Sequence, residues 1–301
     1  MENADLTPEL VSRLVASQFP EWARLPVRPV DLDGNDNRTF RLGRELSVRL
    51  PSADEYIPQV EKEHRWLPWL APQLPLAIPE PVAQGVPAIG FPRPWSVYRW
   101  LPGQLATADM VHDTLQFAAD LAGFLSALHS IDPAGGPAAG VHSFCRGGPL
   151  SVLDAGAREA IVVLANEVDA RAATEVWETA LAAASARAPV WVHGDITNSN
   201  LLVVDGRLRA VLDFGCCAVG DPACDLAIAW TFFTSESRHA FRSALPFDEE
   251  TWARARGWAL WKALITHADV IRTRSRRDDA ATRFGWRLTS RGVIDEVLAS
   301  D

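Results

Sequence analysis

The chain has 301 residues, 29 of them basic and 38 acidic, and a formal charge of −9. Its 48% hydrophobic and 22% charged residues describe a chain that buries a core, which excludes intrinsic disorder and fibrous repeats. The acidic balance argues against nucleic acid as the main partner, because phosphate backbones select a basic face.

The length predicts two domains or lobes, at about 150 residues each. Thr7-Pro8-Glu9 reads as a helix start, a hydroxyl cap followed by proline at the first helical position, with the helix running to residue 19. Three short strands follow, at 27–32, 39–42 and 46–50. The turns Asp33-Gly34-Asn35-Asp36-Asn37 and Gly43-Arg44-Glu45 separate them, a pattern that predicts an antiparallel meander. Pro58 opens a helix to residue 70, with Val60, Trp66, Leu67 and Leu70 at helical spacing. The strongest strand signal in the proline-rich stretch beyond is 95–101. Pro102-Gly103 reads as the boundary, giving lobes of 1–101 and 102–301. The second lobe reads as mostly helical, with helices at 109–129, 151–167, 170–186, 223–233, 248–272 and 278–299. Only 190–219 has the short apolar runs of β-structure.

Met1 to Leu14 carries acids and no basic-then-apolar sequence, so it does not read as a signal peptide. No apolar run approaches the roughly 18 residues that span a bilayer. Cys145, Cys216, Cys217 and Cys224 form neither a CxxC pair nor a zinc-ligand spacing. These features predict a cytoplasmic protein with reduced thiols, no membrane partner, and a monomeric or weakly dimeric state. Lysine is scarce: Lys62 and Lys262 stand against 27 arginines.

Three clusters of acids and amides carry the chemistry. They are His193-Gly194-Asp195-Ile196-Thr197-Asn198-Ser199-Asn200, then Asp213-Phe214-Gly215, then Gly220-Asp221-Pro222 with Asp225. Between the first two, 201–204 and 208–212 flank the turn Asp205-Gly206 and read as a hairpin. Its ends bring Asn200 and Asp213 to one small volume, where an amide oxygen and a carboxylate suit Mg²⁺. Asp195 lies at the edge of that volume and is placed to accept a hydroxyl proton.

This arrangement resembles the kinase pattern H-R-D-x-x-x-x-N followed by D-F-G, with Gly194 where protein kinases have arginine. H-G-D with a later Gly-Asp-Pro-x-x-Asp is similar to the aminoglycoside phosphotransferase family. The resemblance covers about 27–261 and is most specific over 190–230. It implies an α+β, two-lobed protein-kinase-like fold, with an N-terminal antiparallel sheet, one main helix and a larger helical C-terminal lobe. It implies phosphoryl transfer from Mg·ATP or Mg·GTP, bound between the lobes, to a hydroxyl of a small molecule, an aminoglycoside or related antibiotic first of all. A choline, homoserine or sugar kinase and an inactive nucleotide-binding module are the alternatives.

By the resemblance, Asp195 is the catalytic base, and Asn200 and Asp213 hold the metal. His193 braces the loop, while Asp225 starts the next helix and fixes the metal loop. Asp221 and Glu236 are candidates to pair with substrate amines. Arg49 takes the phosphate-binding place usually held by lysine, a slot that neither Lys62 nor Lys262 fills, with Glu63 as its ion-pair partner. Gly34-Asn35-Asp36-Asn37 replaces the G-x-G-x-x-G loop over the phosphates. Backbone groups of Arg99 and Leu101 face the purine. Trp100 at the hinge and Trp230 near the cleft are the tryptophans expected to do more than pack a core.

Overall fold

The computed structural model describes residues 6–30, 36–185, 187–273 and 286–300. The predicted loop residues Gly34 and Asn35 lie outside them, as does most of the first half of the helix predicted at 278–299. The chain divides into two compact units. One comprises Met1–Gln73, Ala77–Pro102 and the short segment Asp213–Gly215; the other comprises Leu74–Leu76, Gly103–Leu212 and Cys216–Asp301.

In the first unit, helix α1 (Pro8–Gln18) starts as the sequence predicts, with Thr7 accepting a hydrogen bond from the Leu10 N–H. A five-stranded antiparallel sheet follows. Its strands are β1 (Val27–Pro29), β2 (Asn37–Leu42), β3 (Leu46–Pro51), β4 (Pro81–Gly85) and β5 (Trp95–Arg99), in the order β1-β2-β3-β5-β4. The predicted strand at 95–101 therefore ends two residues early. Alternation places Phe40, Leu42, Val48, Leu50, Trp95 and Val97 in one core with Val11, Leu14 and Val15 of α1. Each fully buried side chain of this kind contributes about 1.5–3 kcal/mol. Helix α2 (Ile57–Leu70) buries Val60, Leu67 and Leu70, and also Gln59, Lys62 and Glu63. The burial of three polar side chains on one helix is the first structural pointer to a site.

The second unit is mainly helical. Strand β6 (Gln104–Leu105) leads into α3 (Thr114–Ser130), which Asp113 caps by accepting from the Leu115 and Gln116 N–H groups. This helix begins five residues later than its apolar pattern predicts, because the cap residue and not the stripe fixes the start. Helices α4 (Asp154–Val163) and α5 (Ala170–Ala182) precede strand β7 (Val190–Val192). The hairpin of β8 (Leu201–Val204) and β9 (Arg207–Val211) pairs in register with β6 at its edge. Strand β10 (Ala218–Gly220) returns antiparallel to β7.

The single helix predicted at 223–233 is instead a 3₁₀ stretch, Pro222–Ala227, followed by the short α6 (Ile228–Thr231). Helix α7 (Ser235–Ser243) was not legible in the sequence, being nine largely polar residues with few apolar positions to mark a stripe. The long α8 (Glu249–Thr273) and a last helix, Ser290–Ala299, complete the unit. No helix among the described residues is long and apolar enough to cross a membrane.

Candidate active site

Within the second unit, the loop after β7 is fixed from below by one carboxylate. Asp225 is fully buried and accepts from the backbone N–H of His193 (2.9 Å) and of Gly194 (2.7 Å). The role expected of it as a helix start belongs to Asp221 instead. That residue caps the 3₁₀ stretch through the Ala223 N–H and is bound by the Arg254 guanidinium at 2.6 Å. With both oxygens engaged there, Asp221 is not available to a substrate amine. His193 is also fully buried, its Nε2 2.8 Å from the Leu212 carbonyl, so it ties the loop to the end of β9.

Gly194 explains the departure from H-R-D. Its φ is +86°, and a Cβ there would lie 2.7 Å from the Cys216 carbonyl oxygen, so only glycine fits the turn.

These anchors present Asp195. Its Oδ1 accepts from Lys262 Nζ of α8 at 2.6 Å, and its backbone carbonyl accepts from Asn200 Nδ2 at 3.0 Å. The Asn200 amide is thereby oriented with its nitrogen toward Asp195, and its Oδ1 accepts no hydrogen bond among the described residues. Burial alone would raise the Asp195 carboxyl, but the charges of Lys262 and Arg146, the Lys262 hydrogen bond and His193 outweigh it and hold the pKa down at about 2. The folded value lies below the ordinary 3.8, so this contribution to stability is present above about pH 4 and fades as pH falls through 2.

A pocket lies against this carboxylate, lined by Arg146, Asp195, Trp258, Trp261, Lys262 and Trp286 among others. The pocket is partly open, and its interior volume is about 20 Å³, room for a group of about water's size. Trp230, expected near a cleft, is buried, with its indole N–H on the Ser300 hydroxyl.

Within the first unit, Arg49 on β3 bridges two carboxylates: Glu63 of α2 at 3.5 Å and Asp213 at 3.1 Å. Burial would lower the Arg49 pKa, but these two negative charges more than offset it and raise it further. Burial raises the Glu63 carboxyl, and the Tyr98 hydroxyl donates to it. Asp213 sits at φ +62°, a costly conformation for a non-glycine residue that recurs at functional positions. Lys62, set aside by sequence reasoning, is buried with its Nζ donating to the Gly215 carbonyl at 2.6 Å. A Cβ on Gly215 would lie 2.7 Å from the Gln59 side chain, so α2 and the Asp213-Phe214-Gly215 segment pack without spare room.

Arg99, expected to face the purine through its backbone, is the last residue of β5. Its backbone N–H donates to the Glu80 carbonyl and its side chain pairs with the Glu80 carboxylate, both at 2.9 Å. The antiparallel register spends its donor within the sheet. Leu101, one residue past Trp100, makes no backbone hydrogen bond among the described residues.

The contacts of Lys262 and Arg146 with this site were not read from the sequence. The one available signal was scarcity: in a chain with 27 arginines, the two lysines contact the Asp195 loop and the Asp213-Phe214-Gly215 segment. Among the described residues no group of three or more His, Cys, Asp or Glu side chains is placed to hold a metal ion.

A family model described as the phosphotransferase enzyme family matches residues 27–258, most of the chain and all three motif clusters. The chain belongs to the phosphotransferase enzyme family. No curated protein matches the phosphotransferase in sequence. Among solved structures it is similar to the GDP complex of wild-type aminoglycoside 2'-phosphotransferase-IIIa, with a TM-score of 0.71, 17% identity, and coverage of 98% of this chain and 99% of that one. It is similar to the streptomycin-ATP ternary complex of APH(2")-IIa, with a TM-score of 0.61, 20% identity, and 99% and 97% coverage. It is also similar to the macrolide 2'-phosphotransferase MphH from Brachybacterium faecium, with a TM-score of 0.59, 22% identity, and 97% and 99% coverage. The phosphotransferase thus has the kinase-like fold that the H-G-D and D-F-G motifs imply, with an antiparallel N-terminal sheet and a helical C-terminal part.

Proposed function

We propose that this phosphotransferase moves the γ-phosphoryl group of a purine nucleotide to a hydroxyl of a small molecule, with Asp195 receiving the hydroxyl. The observation that carries the reading is Asp195 itself, an ionised carboxylate held on a rigid loop by Lys262 and facing a pocket. A new bond forms between the acceptor oxygen and the γ-phosphorus, and the bond from that phosphorus to the β–γ bridging oxygen breaks. The hydroxyl proton passes to Asp195 and then to solvent, leaving a phosphomonoester and a nucleoside diphosphate. A carboxylate with a pKa of about 2 is a weak base. It is suited to orienting the hydroxyl and taking the proton late, as a loose phosphoryl-transfer transition state requires. Similar structures are complexes with GDP, ADP and ATP, which supports a nucleotide donor.

Each residue brings an oxygen of the kind a hard cation takes: the Asn200 Oδ1 is not otherwise engaged, and Asp213 carries a carboxylate. Asn200 and Asp213 are the residues we assign to Mg²⁺, which when bound neutralises phosphate charge. Arg49 is assigned to the phosphates, aimed by Glu63. Arg49→Ala is expected to raise the nucleotide KM by about tenfold, with Arg49→Lys recovering most of it. Steady-state kinetics with ATP and GTP check this, and an unchanged KM removes the assignment.

Two acceptor classes fall within this reading. Similar structures are complexes with streptomycin or gentamicin, which supports a hydroxylated antibiotic. The lining of the Asp195 pocket favours the second class, a metabolite alcohol, because Arg146 and Lys262 stand where amines of an aminoglycoside would need acids. Transfer of label from γ-labelled ATP and GTP to a panel of aminoglycosides, macrolides and hydroxylated metabolites tests the function. Phosphorylation of at least one alcohol is expected, and nucleotide binding with no transfer to any member overturns it.

A further inference from the structure

The described lining of the Asp195 pocket has more donors than acceptors. Asp195 is its one acid, against two cations, Lys262 and Arg146. Lys262 is matched to Asp195 at 2.6 Å, which leaves Arg146 as the unbalanced charge. Arg146 has no carboxylate partner among the described residues. Its guanidinium instead lies over the rings of Trp261 (4.7 Å) and Trp258 (5.5 Å). The Arg146 Nη1 is buried with no hydrogen-bond partner, and so is the indole Nε1 of Trp258, which lines the same pocket. A buried donor without an acceptor is costly, and a charged one more so. Two such donors in one pocket describe a place whose acceptor arrives with the ligand.

We propose that the acceptor is an α-hydroxy acid, its carboxylate taken by Arg146 and Trp258 and its hydroxyl by Asp195; this rests on the phosphotransferase reading above. Asp195, Arg146 and Trp258 line one small pocket, so a ligand that meets all three has its two polar groups on neighbouring carbons. The tryptophan faces, Trp258 and Trp261 standing at 90° to one another, suit a flat or apolar body. A polycationic aminoglycoside would bring its charges against Arg146, and the one described acid of the pocket, Asp195, is already matched to Lys262. The group transferred is the same phosphoryl group as above: the α-hydroxyl oxygen gains it, its proton leaves by way of Asp195, and the carboxylate is unchanged.

The test uses the full-length protein with mandelate and 3-phenyllactate, their primary amides, and kanamycin, each titrated by calorimetry in the presence of a non-hydrolysable nucleotide and assayed for label transfer. The acids are expected to bind about tenfold tighter than their amides, the ratio of one charge-assisted hydrogen bond. Arg146→Gln is expected to erase that ratio and Arg146→Lys to restore part of it, which separates charge recognition from a folding defect. Tighter binding of kanamycin than of either acid, an acid-to-amide ratio that Arg146→Gln leaves intact, or no saturable binding of the acids overturns the proposal. Nucleotide titration of the same samples distinguishes the two levels. Binding of nucleotide without preference for acids sinks only the acceptor class, whereas absence of nucleotide binding sinks the phosphotransferase reading beneath it.

Discussion

Asp195→Asn is expected to lower turnover by about three orders of magnitude while leaving nucleotide affinity within about twofold. The amide keeps the size of the side chain, so the hydrogen bond from Asn200 to the residue 195 backbone carbonyl survives. What disappears is the negative charge. An acceptor hydroxyl then meets an amide that cannot take its proton, and Lys262 loses its counter-ion. Single-turnover measurements with labelled nucleotide separate this from a binding defect, and circular dichroism controls for folding. Turnover within tenfold of the unsubstituted protein would end the assignment of Asp195. The pH profile gives an independent check. With the carboxyl at about 2, Asp195 is ionised at any pH above about 4, so no bend in kcat near the ordinary carboxylate range is expected from it.

Asp225→Ala carries the largest expected effect on stability. The carboxylate is inaccessible to water and satisfies two backbone donors, His193 N–H and Gly194 N–H. Truncation leaves both N–H groups buried without an acceptor, at about 1–3 kcal/mol each. It also removes the group 3.4 Å from the His129 ring nitrogen. A loss of about 2–6 kcal/mol is a large part of the 5–15 kcal/mol typical of a folded domain. Denaturation by urea, followed by tryptophan fluorescence, is expected to move to clearly lower concentration. Asp225→Asn, which keeps one acceptor oxygen, is expected to fall between. A midpoint for Asp225→Ala equal to that of the parent would show that the loop does not depend on this anchor.

Local chemistry was readable in the linear sequence wherever a short-range pattern fixed it. The Thr7 cap with Pro8 placed the start of α1, because both features act within one turn. The Asp205-Gly206 turn placed the β8–β9 hairpin, because positive φ is needed at both residues (+50° and +75°). Spacing of His193, Asp195, Asn200 and Asp213 carried the kinase-like fold, and the family match across 27–258 agrees with it. Where pattern was weak, the reading was displaced. The stripe of α3 did not reveal that Asp113 sets its start, and polar α7 had no apolar stripe to read.

The linear chain determined its own class: a strand-rich first part, a mostly helical second part, and three motif clusters of acids and amides. Only the folded arrangement decided the electrostatics around them. Lys262 is 67 residues from Asp195 and Arg146 is 49 before it, so no local rule couples them, yet their charges set the carboxyl's pKa. Likewise Asp213–Gly215 follows β9 in the chain but groups with the first unit, where Arg49 and Lys62 hold it. Charge–charge energy depends on distance in space and on exclusion of water, and neither quantity exists until the chain has folded.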